Sequence, residues 1–241
     1  MGRVGLLAFV LGSIVSVNAT FLLLVPFLHL PMSVVNAAVP YSLYLLILGS
    51  FHALEFFCTA LYNGAVATSS SFVVDHSQAY TMAFLVATAE YALRTLYRLL
   101  ISPGQISPPL TLINCLGLVI VASGQALRSS AMKECGSNFN HIIQTNDTKE
   151  NHTLVRTGVY RVFRHPSYTG WFYWSIGTQL VLGNFLSSWG YAYASWKFFS
   201  KRIPYEEKTL EKLFGVECYD EYRNSTIIGI PFLKAAKSKV K

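Results

Sequence analysis

Long apolar runs separated by short polar segments dominate the first half of the chain. Residues 5–27 contain no charged residue, and residues 34–74 contain Glu55 as their one charge. A helix needs about 20 residues to cross the hydrocarbon core of a bilayer, so the first run predicts one crossing and the second predicts two crossings or a hairpin. Further apolar runs follow at residues 79–100, 106–127 and 168–199. The pattern predicts an all-α, polytopic integral membrane protein with about six to eight transmembrane helices.

The pattern changes after residue 127, where polar residues become frequent. We therefore expect N-terminal transmembrane helices over residues 1–127 and a catalytic region over 128–241, packed together as one integrated domain. Within the second region, the run 168–199 predicts a transmembrane hairpin that turns near Gly183-Asn184 and Ser187-Ser188. Pro204 predicts the start of a cytosolic helix over about 204–223, because proline suits the first turn of a helix.

Composition and charge agree with a membrane protein and orient it. Charged residues make up 13% of the chain, against about 25% in a typical soluble domain. The net charge of +7 resides mainly in residues 128–164 and 197–241. Basic segments tend to stay in the cytosol, so both are predicted to emerge on that side of the hairpin and to build one site. Because acids are interspersed and no nucleic-acid module is visible, nucleic acid is not predicted as a partner.

The cysteines and histidines predict no metal site. The four cysteines are scattered through the chain, and none of them forms a Cys-x-x-Cys pair. Their spacing relative to the six histidines matches no common metal-binding pattern. They are interpreted as small buried apolar residues.

The segment "RHPSYTGWFYW", residues 164–174, places a cation and an imidazole directly against a wall of aromatic residues. Pro166 predicts that a helix begins there. His165 and Tyr168 would then lie at its N-terminus, where free backbone N–H groups attract anionic ligands. The alternative is an aromatic belt at the bilayer interface, with Arg164 extended to a lipid phosphate. The residues alone leave both interpretations open.

Two further polar segments are predicted to face the cytosol. Residues 137–155 combine amide and imidazole side chains, which suits either a polar loop or a binding surface. Arg202 follows Phe198-Phe199 at the end of the hairpin, so it is expected at headgroup depth. An arginine there binds a lipid phosphate or a carboxylate presented from the bilayer. Glu206 and Glu207 fall in the first turn of the predicted cytosolic helix, where acids are favoured even without a ligand.

"HTLVRTGVYRVFRHPSYTGWFYWSIGTQL" together with "KRIPYEEKTLEKLFGVECYDEY" resembles the eukaryotic isoprenylcysteine carboxyl methyltransferases over the C-terminal half of the chain. The resemblance implies a multi-pass enzyme of the endoplasmic reticulum membrane, surrounded by membrane lipids, with its site facing the cytosol. It implies S-adenosyl-L-methionine as cofactor, and as substrate the farnesylated or geranylgeranylated C-terminal cysteine of CaaX proteins. The Arg-His-Pro-x-Tyr core is also similar to phospholipid N-methyltransferases and sterol reductases, which remain the alternative.

The resemblance also implies roles for individual residues. Arg202 corresponds to the catalytic arginine that contacts the substrate. Glu206 corresponds to an acid that contacts the cofactor, although Glu207 is an open alternative because Pro204 and Tyr205 interrupt the acidic run of the family. The other implied cofactor-binding residues are Gln144, His152, Thr153, Leu154, Val155, Tyr160, His165, Pro166, Ser167 and Tyr168.

The implied reaction explains why the sequence shows no acid–base pair. A C-terminal carboxyl group has a pKa of about 3.5, so it is already ionised at neutral pH and needs no general base. The remaining task is to position the reactants, which is the expected role of Arg202. The prenyl tail arrives dissolved in lipid and predicts an apolar slot between the transmembrane helices.

Overall fold

The computed structural model describes residues 2–74, 77–101, 109–143 and 153–233. These residues form no β-strand, and one isolated parallel bridge pairs Phe163 with Ile227. The predicted all-α class is confirmed. The helices are α1 (Gly2–Leu24), α2 (Met32–Tyr62), α3 (Gln78–Ile101), α4 (Leu112–Cys135), α5 (Pro166–Leu182), α6 (Phe185–Phe214) and α7 (Val216–Ser225), joined by short 3₁₀ turns at Val25–Phe27, Gly64–Val66, Ser69–Phe72, Gly136–Asn138 and Gly158–Arg161.

Three of the described helical segments are long and apolar enough to cross a membrane, namely Gly2–Phe27, Met32–Tyr62 and Leu112–Asn138. The prediction of two crossings or a hairpin within residues 34–74 is wrong, because α2 continues as one helix of 31 residues. Helix α2 runs through Pro40 and Gly49-Ser50 and ends at Tyr62, just before Asn63-Gly64. The α5–α6 hairpin is not among the three segments, and its crossing remains a prediction.

The predicted turn is confirmed at Gly183-Asn184, whereas Ser187-Ser188, also predicted near the turn, lies in the first turn of α6. Gly183 ends α5 in the left-handed conformation, with φ of 68°, which a glycine adopts without steric cost. Two residues of α3 cap the helix ends on either side of the turn. Arg94 donates to the carbonyls of Leu182 and Gly183, and the Glu90 carboxylate accepts from the amides of Leu186 and Ser187 at 2.9 and 2.7 Å. Helix α3 therefore fixes the end of the hairpin that lies away from the polar segments.

The prediction that Pro204 opens a separate helix is wrong. Helix α6 runs through Pro204 to Phe214, and the predicted helix over 204–223 is instead divided at Gly215 between α6 and α7. Ile203 and Glu207, on either side of the proline, are both buried. Their packing holds the helix continuous, although Pro204 cannot donate the usual backbone hydrogen bond.

Helices α4 and α5 approach each other more closely than helices with larger side chains allow. A Cβ atom on Gly124 of α4 would lie 2.6 Å from the carbonyl oxygen of Gly170 of α5, and the reverse substitution would meet the same distance. Gly117 and Gly177 make a second contact of this kind one heptad along each helix. Small residues at membrane helix interfaces permit such an approach. The contact fixes the N-terminus of α5 against the C-terminal half of α4.

Candidate active site

Helix α5 begins at Pro166, as the sequence predicted, and its first turn forms one wall of a cleft. His165 precedes the helix, and its side chain is 3% exposed. The imidazole stacks on the ring of Tyr168, with 5.5 Å between ring centroids and 3° between planes. Ser167 also lines the cleft. The side chains at the start of α5 are therefore held in fixed orientations at the N-terminus of the helix, where free backbone N–H groups attract anions.

Arg202 reaches the same cleft from α6. Its Nε donates to the Tyr168 hydroxyl at 2.8 Å, and its Nη2 donates to the carbonyl of His141 at 2.7 Å. The guanidinium carbon also lies 5.7 Å from the ring centroid of Phe198. The two segments that flank the hairpin therefore meet in one cleft, as the sequence predicted.

The neighbouring acids Glu206 and Glu207 face different environments. Glu206 lines the cleft, and its buried Oε2 has no hydrogen-bond partner among the described residues. Nδ1 of His165 lies 3.9 Å from this oxygen, too far for a hydrogen bond. A buried carboxylate oxygen without a partner is costly. Its position predicts that a ligand supplies a donor there.

Glu207 instead points into the protein and is completely buried. Its Oε1 accepts from Arg164 Nε at 2.6 Å and lies 3.3 Å from His165 Nε2, while its Oε2 lies 3.7 Å from Arg223 Nε. Burial alone would raise the pKa of Glu207, but His165 and Arg164 outweigh it and lower the pKa to about 2. The alternative in which Arg164 extends to a lipid phosphate is therefore wrong, because this arginine is buried against Glu207 and the carbonyl of Thr226.

The cleft consists of two adjoining cavities of about 930 and 830 Å³, volumes that include open solvent at their mouths. The first contains His165, Pro166, Ser167 and Arg202, and the second contains Thr153, Leu154 and Val155. Tyr160, Tyr168 and Glu206 line both cavities and join them into one site. Gln144 and His152 lie outside the described residues.

Sequence reasoning missed several residues of the cleft. Arg128 lines the first cavity, although it was not predicted to bind a ligand. Asn138, Asn140 and His141 line it as well, although the sequence left their segment open as a polar loop or a binding surface. The available signal was Glu55, the lone charge in an apolar run, since a buried acid in a membrane helix needs a partner. That partner is Arg128, which lies at 2.5 and 2.7 Å from the two carboxylate oxygens.

A second, mostly apolar groove opens sideways between α3, α5 and α6. It measures about 2540 Å³ including its open side. Its wall is formed chiefly by apolar side chains, among them Met82, Phe84, Val86, Leu93 and Trp171. The groove ends at Phe198 and Arg202, which also line the polar cleft. Arg202 therefore stands where an apolar path from the side of the molecule meets the polar site.

Comparison with known proteins identifies the relatives of the chain. The model of the isoprenylcysteine carboxyl methyltransferase (ICMT) family matches residues 115–212. The protein-S-isoprenylcysteine O-methyltransferase of Xenopus laevis is 45% identical over 201 residues, which cover 82% of this chain and 66% of that protein, just under two thirds of its length. The enzyme of the same name from Saccharomyces cerevisiae is 40% identical, with 80% of each chain covered.

A solved structure extends the similarity to almost the whole chain. It is described as the eukaryotic intramembrane Ras methyltransferase ICMT, and it superposes with a TM-score of 0.85 at 34% identity. The match covers 98% of this chain and 78% of that structure. The described helices, including those upstream of the matched motifs, therefore follow the arrangement of that enzyme. The chain belongs to the isoprenylcysteine carboxyl methyltransferase family.

Proposed function

We propose that the chain transfers a methyl group from S-adenosyl-L-methionine to the C-terminal carboxylate of a prenylcysteine on CaaX-processed proteins, in the endoplasmic reticulum membrane. The observation that carries the proposal is the position of Arg202 at the junction of an apolar lateral groove with a buried polar cleft. A lipid-anchored carboxylate needs both environments at adjacent positions. The names of the relatives agree with this chemistry.

The polar cleft fits S-adenosyl-L-methionine. This molecule supplies, when bound, an electrophilic methyl group on a sulfonium. Glu206 Oε2 is buried and offers an acceptor to an ammonium or a ribose hydroxyl. The amides at the start of α5, together with His165 and Tyr168, offer donors and aromatic faces to a carboxylate or an adenine. Thr153, Leu154, Val155 and Tyr160 would enclose the far end of the molecule in the second cavity, and Gln144 and His152 are proposed as further contacts from the family resemblance.

Arg202 is proposed to bind and orient the substrate carboxylate. Its Nε and Nη2 are held by Tyr168 and His141, while Nη1 has no partner among the described residues. A guanidinium fixed at two nitrogens presents the third in one direction, so the carboxylate is aligned with little loss of freedom at the moment of reaction. The carboxylate is ionised at neutral pH, so the chain has only to position it and exclude water.

The lateral groove between α3 and α6 is proposed to hold the prenyl chain. Its apolar wall is open to the side of the molecule, where lipid would surround it. A prenyl chain that enters there leaves the bilayer for an equally apolar surface, so entry costs little hydrophobic free energy. The attached carboxylate would then stop at Arg202.

We further propose that α1 to α6 cross the membrane six times, within the range that the sequence predicted. Arg3 at the start of α1 lines the same opening as Lys201 and Arg202 at the end of the hairpin. Both ends of the six-helix region therefore lie on one side, which requires an even number of crossings. The basic residues on that side support a cytosolic location for it.

A labelled-methyl assay tests the function against its alternatives. Purified protein receives radiolabelled S-adenosyl-L-methionine with a farnesylcysteine analogue or phosphatidylethanolamine, or both S-adenosyl-L-methionine and NADPH with a sterol, in parallel samples. We expect a base-labile methyl ester on the farnesylcysteine analogue alone. Base-stable label in the phospholipid would instead support a lipid N-methyltransferase, and NADPH-dependent reduction of the sterol would support a reductase.

The role of Arg202 is tested separately. Arg202→Ala is expected to abolish turnover while S-adenosyl-L-methionine binding, followed by isothermal titration, is largely retained. Arg202→Lys keeps the charge but loses the fixed fork, so it should recover only part of the activity. Loss of cofactor binding with prenylcysteine binding intact would show that the assigned role is wrong.

A further inference from the structure

Glu55 is a completely buried carboxylate in the apolar helix α2. Its Oε1 accepts from Arg128 Nε at 2.5 Å, and its Oε2 accepts from Arg128 Nη2 at 2.7 Å and lies 2.9 Å from His141 Nε2. It does not line either cavity of the cleft or the lateral groove. A charged group at membrane depth usually marks function, yet Glu55 is placed to touch neither substrate nor cofactor.

One connection leads from Glu55 to the active site through α4 and α5. Arg128 donates from Nη1 to the hydroxyl of Ser167 at 2.9 Å and to its carbonyl at 3.2 Å. These contacts hold the first turn of α5, in which Tyr168 is the next residue. The hydroxyl of Tyr168 accepts from Arg202 Nε at 2.8 Å.

A second connection leads to the same guanidinium through the segment after α4. The imidazole of His141 is bound to Glu55, and the carbonyl of His141 accepts from Arg202 Nη2 at 2.7 Å. Asn63 at the end of α2 holds the preceding part of this segment, donating to the carbonyls of Ser137 and Phe139 at 3.1 and 2.8 Å. The two connections close a ring that begins and ends at Glu55.

We propose that Glu55 is a positioning residue that fixes the orientation of Arg202 from both sides. The side chain of arginine is long and flexible. The direction of the Arg202 guanidinium therefore depends on its hydrogen bonds to the Tyr168 hydroxyl and the His141 carbonyl. Glu55 holds the carbonyl through the His141 side chain and the hydroxyl through Arg128 and α5. The inference rests on the proposed function of Arg202 as the carboxylate-binding residue.

The competing explanation is that Glu55 only neutralises Arg128, and His141→Ala separates the two. This substitution keeps the backbone carbonyl and the Glu55–Arg128 pair, so the buried charge remains balanced. It removes only the side chain that ties the carbonyl to Glu55. His141 also lines the first cavity, so kcat/KM for the prenyl substrate is compared with the KM for S-adenosyl-L-methionine. If Glu55 acts solely as a counter-charge, His141→Ala should not lower kcat/KM for the prenyl substrate while the KM for S-adenosyl-L-methionine stays unchanged.

The experiment measures methyl esterification of a farnesylcysteine analogue by full-length wild type, Glu55→Gln, His141→Ala and the double variant in nanodiscs. We expect kcat/KM for the prenyl substrate to fall roughly 10- to 100-fold in each single variant, because small displacements of a positioning group have effects of this size. The KM for S-adenosyl-L-methionine should change less than about threefold in His141→Ala, since Glu206 and the contacts of Arg128 with Ser167 at the start of α5 remain in place. The kcat/KM of the double variant should be no lower than that of Glu55→Gln alone, because both substitutions break the same connection from Glu55 through His141 to Arg202.

Thr59→Val serves as the control, since Thr59 is buried one turn further along α2 and its hydroxyl, among the described residues, donates to the carbonyl of Glu55 alone. It should keep wild-type kinetics. His141→Ala activity within about twofold of wild type, or losses that multiply in the double variant, would overturn the inference. If wild type itself forms no methyl ester, the proposed function fails instead, so the two failures are distinguishable.

Discussion

The buried pair of Glu207 and Arg164 provides a quantitative test of how α6 is held at the site. The two side chains are 0% and 5% exposed, and 2.6 Å separates Glu207 Oε1 from Arg164 Nε. Glu207→Gln preserves the shape of the side chain but leaves Arg164 buried beside a neutral amide. Glu206→Gln is the matched control, since the adjacent residue faces the cleft and forms no such pair.

The loss of stability expected for Glu207→Gln follows from the pKa of the Glu207 carboxyl group. The pKa of Glu207 is lowered from 4.5 to about 2, which corresponds to roughly 3 kcal/mol in favour of the folded state at neutral pH. Removing one partner of a buried ion pair costs about 3–5 kcal/mol in other proteins. At about 2–4 °C per kcal/mol for a chain of this size, Glu207→Gln should lower Tm by roughly 6–12 °C.

The Tm difference between wild type and Glu207→Gln should also depend on pH in a defined direction. Because the folded pKa lies below the unfolded value, the contribution of Glu207 is fully present above about pH 4.5 and is lost as the pH falls towards 2. The difference in Tm between wild type and Glu207→Gln should therefore be constant from pH 7 to about pH 5 and shrink below that. Thermal unfolding in detergent micelles, followed by tryptophan fluorescence, measures both. A shift of less than about 2 °C at pH 7, or an undiminished shift at about pH 3, would refute the reasoning.

Three further predictions follow from other contacts. Glu206→Gln should raise the KM for S-adenosyl-L-methionine about 10- to 100-fold, because a charge-assisted hydrogen bond contributes about 1.5–3 kcal/mol; an unchanged KM would contradict the role of this acid. Gly124→Ala should lower the free energy of unfolding by about 1–3 kcal/mol, because its Cβ would lie 2.6 Å from a backbone oxygen of α5. Gly190→Ala, with no described atom within 4 Å of its Cβ, should leave stability unchanged. Equal Tm values for the two variants would show that α4 and α5 can separate freely. Asn63→Ala should lower stability by about 1–3 kcal/mol by releasing two carbonyls, and limited proteolysis between residues 136 and 143 should accelerate; unchanged cleavage would mean that other contacts hold this segment.

Local signals predicted the elements that depend on neighbours in the sequence. Pro166 marked the start of α5, and Gly183-Asn184 marked the turn, because each residue type favours that backbone geometry wherever it occurs. Pro204 led to a wrong prediction of a helix start, because tertiary packing outweighed its local preference. The preference of proline for a helix start is weaker than the packing of Ile203 and Glu207, so tertiary contacts carried α6 through it.

The sequence could not assign directions to adjacent polar side chains. Glu206 and Glu207 are separated by about 100° around a helix, and the pattern of residues does not state which of the two faces a cleft. The structure separates them, because Arg164 and Arg223 lie on the inner side and draw Glu207 towards them. One interpretation of the sequence extended Arg164 to a lipid phosphate, whereas in the structure it pairs with Glu207, 43 residues further along the chain.

The sequence by itself determined the helical class, the apolar runs and the presence of a polar site after residue 127. A bilayer requires each spanning segment to satisfy its own backbone, so these properties are written in local composition. The tertiary structure alone decided how the site is assembled. Glu55 meets Arg128 and His141 across separations of 73 and 86 residues, because the packing of α2, α4 and α5 brings them together. Contacts between residues so far apart in sequence depend on the fold as a whole, and no local pattern specifies them.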